Sequence, residues 1–282
     1  MSENLKRAAV TGHPVAHSRS PLIHGYWLKK HGIRGEYGRV DVAPEEAAGF
    51  YRDLAATGLV GVNVTVPHKE TAADACDQLD DAAKKMGAAN TLWLDDDGRL
   101  CGANTDGLGF LGNLDQLAPG WDKQAGTALV LGAGGAARAI VWALLSRQFT
   151  KVHIVNRTIE KARKISDEFG SKTNAQGWDK LGMLLGETDL LVNTTSLGMT
   201  GKPPLDIDLD GLPKHALVND IVYAPMETEL LKQAAAMGNP TVDGIGMLLH
   251  QAVPGFERWF GVRPEVTEEL RTLVLKDLGV IS

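Results

Sequence analysis

A chain of 282 residues is long enough for about two domains. Its 44% hydrophobic and 23% charged residues are the balance of a soluble globular protein, which excludes a disordered tail, a collagen-like repeat and a small stapled scaffold. With 29 Lys and Arg against 35 Asp and Glu, the net charge of −6 gives no global electrostatic reason to bind nucleic acid or an anionic membrane. The first residues carry Glu3, Lys6 and Arg7 without an apolar run, unlike a secretory signal. The apolar stretch 139–145 is far too short for a membrane span. Cysteine is limited to Cys76 and Cys101, and the expectation is a reduced, cytoplasmic protein.

In chain order, residues 8–11 read as a strand and 21–31 as a helix with Ser20 as N-cap and Pro21 at its first position. Residues 37–42 form a strand, 45–57 a helix and 60–64 a strand, and a further helix begins after Pro67. Strands at 91–94 and 100–102 flank Asp95-Asp96-Asp97-Gly98, a hairpin turn. A polar link at 120–126 precedes a second series of strands at 128–131, 152–155, 190–192 and 216–221. The tail, 246–279, reads as two helices broken near Pro264. Strands alternating with helices imply an α/β protein with parallel layers in both halves.

The apolar strand Ala128-Leu129-Val130-Leu131 runs into Gly132-Ala133-Gly134-Gly135-Ala136-Ala137, a G-x-G-x-x-A turn opening a helix. Gly132 permits the tight turn, Gly134 lets the backbone approach a pyrophosphate, and Ala137 keeps helix and sheet close. The next strand ends Val155-Asn156-Arg157-Thr158. An NAD site would place an acidic residue there for the ribose 2′-hydroxyl, whereas this chain has neutral Asn156 and then Arg157. Lys161 falls in the first turn of the following helix, where the dipole disfavours a cation unless an anion is bound. A 2′-phosphate taking charge-assisted bonds from Arg157 and Lys161 and a hydroxyl bond from Thr158 favours NADP over NAD. The competing reading makes Thr158 only an N-cap and Arg157 a solvated charge.

Four polar segments of the first half stand out: 12–21, with His17-Ser18-Arg19-Ser20-Pro21; 63–70, Asn63-Val64-Thr65-Val66-Pro67-His68-Lys69-Glu70; 87–91, Gly87-Ala88-Ala89-Asn90-Thr91; and 102–107, Gly102-Ala103-Asn104-Thr105-Asp106-Gly107. Together with the glycine turn, Asn193-Thr194-Thr195-Ser196-Leu197-Gly198-Met199 and Gly246-Met247-Leu248-Leu249-His250-Gln251, they resemble the shikimate dehydrogenase family in order along nearly the whole chain. One departure is Gly25, where many members have Asn.

The resemblance implies reversible NADPH-dependent reduction of 3-dehydroshikimate to shikimate in chorismate biosynthesis, without a metal. It implies a substrate-binding domain of residues 1–105 completed by 246–282, and an NADP-binding Rossmann domain of residues 106–245 facing a cleft. The family's catalytic pair falls on Lys69 and Asp106. Ser18, Ser20, Thr65, Asn90, Tyr223 and Gln251 fall on substrate contacts, as do Lys69 and Asp106 themselves. Gly132, Ala133, Gly134, Gly135 and Ala136, with Asn156, Arg157, Thr158 and Lys161, fall on the dinucleotide site. Thr194, Thr195, Ser196, Ile221, Gly244 and Met247 fall along the cofactor channel, and Asp81 where an acidic residue often lies near the cofactor. A homodimer is left open. Two other readings stay beside this one: an NAD-preferring quinate/shikimate dehydrogenase, and a catalytically silent NADP-binding regulator of the same fold.

Lys69 lies in the first turn of its helix, and that partial positive end favours the neutral amine, while a paired carboxylate opposes it. Such a group delivers a proton to a ketone oxygen and recovers it in reverse. Asp106 also reads as an N-cap, compatible with a carboxylate held ionised and oriented. Ser18 and Ser20 at a helix N-terminus suit an anion such as a carboxylate. Gln251 falls in an apolar helical stretch, where an amide commonly bonds a neighbouring helix. His13 and His17 are spaced i, i+4, but Gly12 and Pro14 argue against a helix there and no Cys or carboxylate cluster joins them, so no metal is expected. His24 and His31 share a helical face as packing or surface residues.

Overall fold

The computed structural model describes residues 5–123 and 125–281. Two compact units divide the chain: one runs to Asp106 and takes in Gln251–Asp277, the other comprises Gly107–His250 and the residues from Leu278.

In the first unit, β1 (Lys6–Gly12) is followed by α1 (Ser20–Lys30), β2 (Gly35–Asp41), α2 (Ala47–Arg52), β3 (Gly61–Val64), α3 (Lys69–Ala75), β4 (Gln78–Leu79), α4 (Asp81–Met86), β5 (Thr91–Leu94) and β6 (Leu100–Ala103). These strands form one sheet in the order β2-β1-β3-β5-β6-β4. The sheet is mixed, and the hairpin expected at 95–98 is present. β5 runs antiparallel to β6, because the tight turn at 95–98 reverses the chain, and it is antiparallel to β3 on its other side. The expected helix over 45–57 also divides, into α2 and a single 3-10 turn at Leu54–Thr57 that ends on left-handed Gly58 (φ +70°). Ser20 is not the N-cap of α1. Arg19 holds that position, Ser20 is already helical, and the Ser18 hydroxyl accepts the Ser20 N–H at 3.3 Å.

In the second unit, α5 (Asp106–Leu117) leads into β7 (Thr127–Leu131), α6 (Gly135–Ser146), β8 (Lys151–Asn156), α7 (Ile159–Phe169), β9 (Thr173–Gly177), α8 (Leu181–Leu185), β10 (Leu190–Asn193), β11 (Leu217–Asp220), α9 (Glu229–Ala236), β12 (Thr241–Val242) and α10 (Ile245–His250). All its strand pairs are parallel. The order β9-β8-β7-β10-β11-β12 is 3-2-1-4-5-6 when counted within the unit, the doubly wound dinucleotide-binding order with its switch point between β7 and β10. β7 and β10 are buried along their whole length, as apolar runs in a sheet covered on both faces must be. Phe110, Ile140 and Leu144 pack on one side and Leu184, Leu185 and Leu230 on the other.

The tail returns to the first unit as α11 (Val253–Phe260) and α12 (Glu268–Asp277). The helical tail therefore has three pieces, not two. The chain breaks at Gln251 and Ala252 ahead of Pro254, as well as around left-handed Gly261 and Pro264. Trp259 anchors α11 to the sheet: its indole N–H donates to the Leu92 carbonyl at 3.0 Å. A Cβ at Gly61 would lie 2.0 Å from that indole nitrogen, so β3 accepts α11 only with glycine there.

Candidate active site

In the first unit, three polar side chains from separate parts of the sequence meet. Lys69 opens α3 and Asp106 opens α5; the ammonium donates to Asp106 Oδ2 at 2.5 Å, with the two side chains 29% and 18% exposed. Asn90 Nδ2 donates to the other carboxylate oxygen at 2.7 Å. Asn90 is itself fixed, since its Oδ1 accepts the Thr105 N–H at 2.9 Å and lies 3.1 Å from the Thr105 hydroxyl. That hydroxyl is 2.8 Å from the Gln251 carbonyl, which ties the returning tail to the cluster. Asp106 is thus not an N-terminal cap standing outside its helix: it is the first helical residue, and Asn104 Oδ1 accepts its N–H at 3.2 Å. The ammonium stays beside a carboxylate whose both oxygens are engaged, the preorganised setting that proton delivery requires.

Ser18 and Ser20 lie together at the start of α1, their hydroxyls 3.2 Å apart. Thr65 sits just beyond β3, its N–H bonded to the Thr11 carbonyl at 2.9 Å. A Cβ at Gly12 would come within 2.5 Å of the Thr65 methyl, so glycine is what lets these two segments close. Asn63 links this side to the cluster. It donates to the Asn90 carbonyl at 3.2 Å and accepts from the Tyr37 hydroxyl at 2.6 Å. Burial holds the Tyr37 phenol far above its ordinary titration and pushes His24, stacked on it at 3.9 Å, down to about 3. Both rings are neutral packing groups at physiological pH. Gln251 lies in the break after α10 rather than within a helix. Asp81 is exposed in the first turn of α4.

The second unit carries the glycine turn and, beyond β11, half-buried Tyr223. Gly132 has φ +108°, and a Cβ there would lie 2.6 Å from the Thr194 hydroxyl, so both backbone and space demand glycine. Thr194 is held across the switch point, its N–H and hydroxyl reaching the Leu131 carbonyl at 2.9 and 2.6 Å. Gly134 is the N-cap of α6, and no atom lies within 4 Å of where a Cβ of Gly134 or Gly135 would stand. That open cradle at the N-terminus of a 12-residue helix fits a pyrophosphate. At the end of β8, Asn156 Nδ2 donates to the Thr158 carbonyl at 2.8 Å, while Thr158 occupies the N-cap of α7 without using its hydroxyl there. Arg157 and Lys161 are exposed, and among the described residues neither makes an ion pair with a protein carboxylate. Two exposed cations and an uncommitted hydroxyl thus stand between the end of β8 and the first turn of α7, a donor set suited to a phosphate.

Thr194 and Thr195 face different anchors. The Thr195 N–H and hydroxyl reach Asn193 Oδ1 at 3.0 and 2.8 Å, and Ser196 beside them is exposed. Gly244 immediately precedes α10 and Met247 lies in its first turn, beside the place where Asn113 donates to the Asp243 carbonyl at 2.6 Å. Thr105, Asn104, Asn63 and Asn193 are the polar residues to which sequence reasoning assigned no role. The first three lie inside segments singled out as unusually polar, and Asn193 opens the 193–199 segment that carries part of the resemblance; those were the available signals.

A doubly wound sheet with a glycine turn at its switch point, in a chain that also holds a lysine–carboxylate pair, defines a two-unit dinucleotide-dependent oxidoreductase. Residues 10–92 match the family description "Shikimate dehydrogenase substrate binding domain", 117–199 "Shikimate / quinate 5-dehydrogenase" and 244–271 "Shikimate 5'-dehydrogenase C-terminal domain". The chain is 57% identical over 275 residues to the shikimate dehydrogenase (NADP(+)) of Azorhizobium caulinodans, covering 98% of each. It is 55% identical to that of Brucella melitensis, covering 97% of this chain and 95% of the relative. The quinate dehydrogenase from Corynebacterium glutamicum in complex with NAD superposes with TM-score 0.88 at 28% identity, over 96% of this chain and 99% of the other. The shikimate 5-dehydrogenase from Thermus thermophilus in complex with NADP(H) and shikimate gives 0.82 at 33% identity, over 98% and 100%. The chain belongs to the shikimate dehydrogenase family.

Proposed function

We propose that this chain catalyses the reversible NADPH-dependent reduction of 3-dehydroshikimate to shikimate, a step of chorismate and aromatic amino acid biosynthesis. The observation that carries the reading is the Lys69–Asp106–Asn90 cluster, with its 2.5 and 2.7 Å contacts. Bound NADPH supplies the hydride for the carbonyl carbon. Lys69 Nζ delivers the proton to the carbonyl oxygen, and in the reverse direction the amine takes the hydroxyl proton. Asp106 holds the ammonium in place and accepts from a substrate hydroxyl. Asn90 fixes the carboxylate's orientation, and its second amide hydrogen is available to substrate. Ser18 and Ser20 hold the substrate carboxylate at the N-terminus of α1, while Thr65, Gln251 and Tyr223 bind its hydroxyls. Arg157, Lys161 and Thr158 take the 2′-phosphate, and Gly132–Ala136 receive the pyrophosphate. Thr194, Thr195, Ser196, Ile221, Gly244 and Met247 line the rest of the cofactor's path, with Asp81 as an acidic neighbour.

Among the described residues no helix is long and apolar enough to cross a membrane. Cys76 and Cys101 are free thiols, which accords with a cytoplasmic enzyme. Replacing Lys69 by Ala tests the central role: kcat is expected to fall by about 10²–10⁴ with a smaller change in KM. Turnover near the parent's would remove Lys69 from the chemistry.

A further inference from the structure

Asp220, the last residue of β11, is fully buried, and the proposed proton transfer does not use it. Its Oδ1 accepts from Asn193 Nδ2 at 2.9 Å and from the Val222 N–H at 3.0 Å; its Oδ2 accepts from the Thr228 hydroxyl at 2.7 Å. All three donors are neutral. Burial outweighs them and pushes the carboxyl up to about 6, so at neutral pH the group is ionised at a cost to the fold. Asparagine would satisfy the same neighbours, with its oxygen toward Asn193 and Val222 and its amide hydrogens toward the Thr228 oxygen. Hydrogen bonding alone therefore gives no reason for a charge at this place.

The topology supplies one. A doubly wound sheet binds a dinucleotide as two mononucleotide halves at the carboxyl ends of its strands. The β7–β9 half has the glycine turn and the Arg157–Lys161 cations, so on the cofactor reading above it takes the adenosine side. The nicotinamide side falls to β10–β12, where β11 is the middle strand and Asp220 its carboxyl end. Gly244 closes over that end, since a Cβ there would lie 2.3 Å from the Ile221 carbonyl oxygen and 2.8 Å from that of Asp220. In such a dry setting a charge acts over a longer distance than it would in water.

We propose that Asp220 is an electrostatic selector of cofactor oxidation state, whose negative charge favours the cationic nicotinamide of NADP+ over the neutral ring of NADPH. The inference rests on the NADP reading, and binding measurements without substrate separate the two. Dissociation constants for NADP+ and NADPH are measured at pH 8 by calorimetry on the whole chain and on two neutral variants, Asp220→Asn and Asp220→Ser. The expected result is an NADP+ constant raised about tenfold in both variants, with that for NADPH moved less than about twofold. Thr228→Val, which removes a hydrogen bond and keeps the charge, leaves the ratio of the two constants at the parent value. An unchanged ratio in the neutral variants, or equal losses for both forms, overturns the selector while leaving the cofactor reading intact. A parent chain that binds neither form overturns both.

Discussion

On the proposed function, the two units prepare their ligands in opposite ways. In the first, the chemistry-bearing groups are already committed to one another: Lys69 to Asp106, Asp106 to Asn90, Asn90 to Thr105. In the second, the dinucleotide turn is a space kept open by Gly134 and Gly135, and among the described residues Arg157, Lys161 and the Thr158 hydroxyl have no protein partners that use their charge or donor. A proton donor works only when held in register with the reacting atom, so its hydrogen bonds are made before substrate arrives. A phosphate brings its own charge, and exposed cations lose little by waiting for it in water.

Substitutions should expose this contrast most strongly in the first unit. Asp106→Ala frees the ammonium and leaves Asn90 without its acceptor. We expect kcat/KM to fall by about 10²–10³ in steady-state assays with little change in NADP+ affinity; a large loss of NADP+ binding would erase the division of labour. Next in size is a stability effect at Asp220. Its ordinary value of 3.8 is raised to about 6 in the fold, so between these pH values the folded chain keeps a proton that the unfolded chain has released. Its contribution is therefore fully present below 3.8 and is lost as pH rises through 6, a decline on the order of 3 kcal/mol. Asp220→Asn should remove that slope from denaturant titrations run between pH 4 and 7; an unaltered slope would show that Asp220 titrates normally.

Effects on the open site should be smaller and confined to one cofactor. Arg157→Ala is expected to weaken NADP+ by roughly ten- to a hundredfold, one charge-assisted bond of about 1.5–3 kcal/mol, and to leave NAD+ unchanged. Equal losses for both dinucleotides would remove the phosphate from Arg157. Thr158→Val is expected to cost NADP+ only a few-fold, about 0.5–1.5 kcal/mol for a neutral hydrogen bond. A loss matching that of Arg157→Ala would mean the hydroxyl, rather than the cation, dominates recognition.

The same contrast governs what could be read along the chain. The dinucleotide turn is local: strand, glycines and helix follow one another within about twenty residues, and both the element and its ligand class were legible there. The lysine–carboxylate pair is 37 residues apart in sequence, and no periodicity links Lys69 to Asp106. Only resemblance brought them together before the fold did. The β5–β6 hairpin was legible in its turn at 95–98, but the antiparallel pairing of β5 with β3 was not, because it depends on which neighbour the strand meets and not on its own apolar pattern. β9 was missed because its sequence, Thr173-Asn174-Ala175-Gln176-Gly177, is polar; its place at the sheet edge asks for little burial. Ser20 looked like a cap because serine before Pro21 is a common helix start, yet Ser18 supplies the hydroxyl that serves it.

The most direct measurement mixes the protein with shikimate or quinate and with NADP+ or NAD+, and follows reduced nicotinamide by absorbance. Turnover with shikimate and NADP+, and little with the other three pairs, is the expected result. Turnover chiefly with NAD+ would contradict the specificity assigned to Arg157, Thr158 and Lys161, turnover chiefly with quinate would contradict shikimate as the substrate, and silence in all four would contradict the assignment of Lys69 and Asp106 as a working catalytic pair.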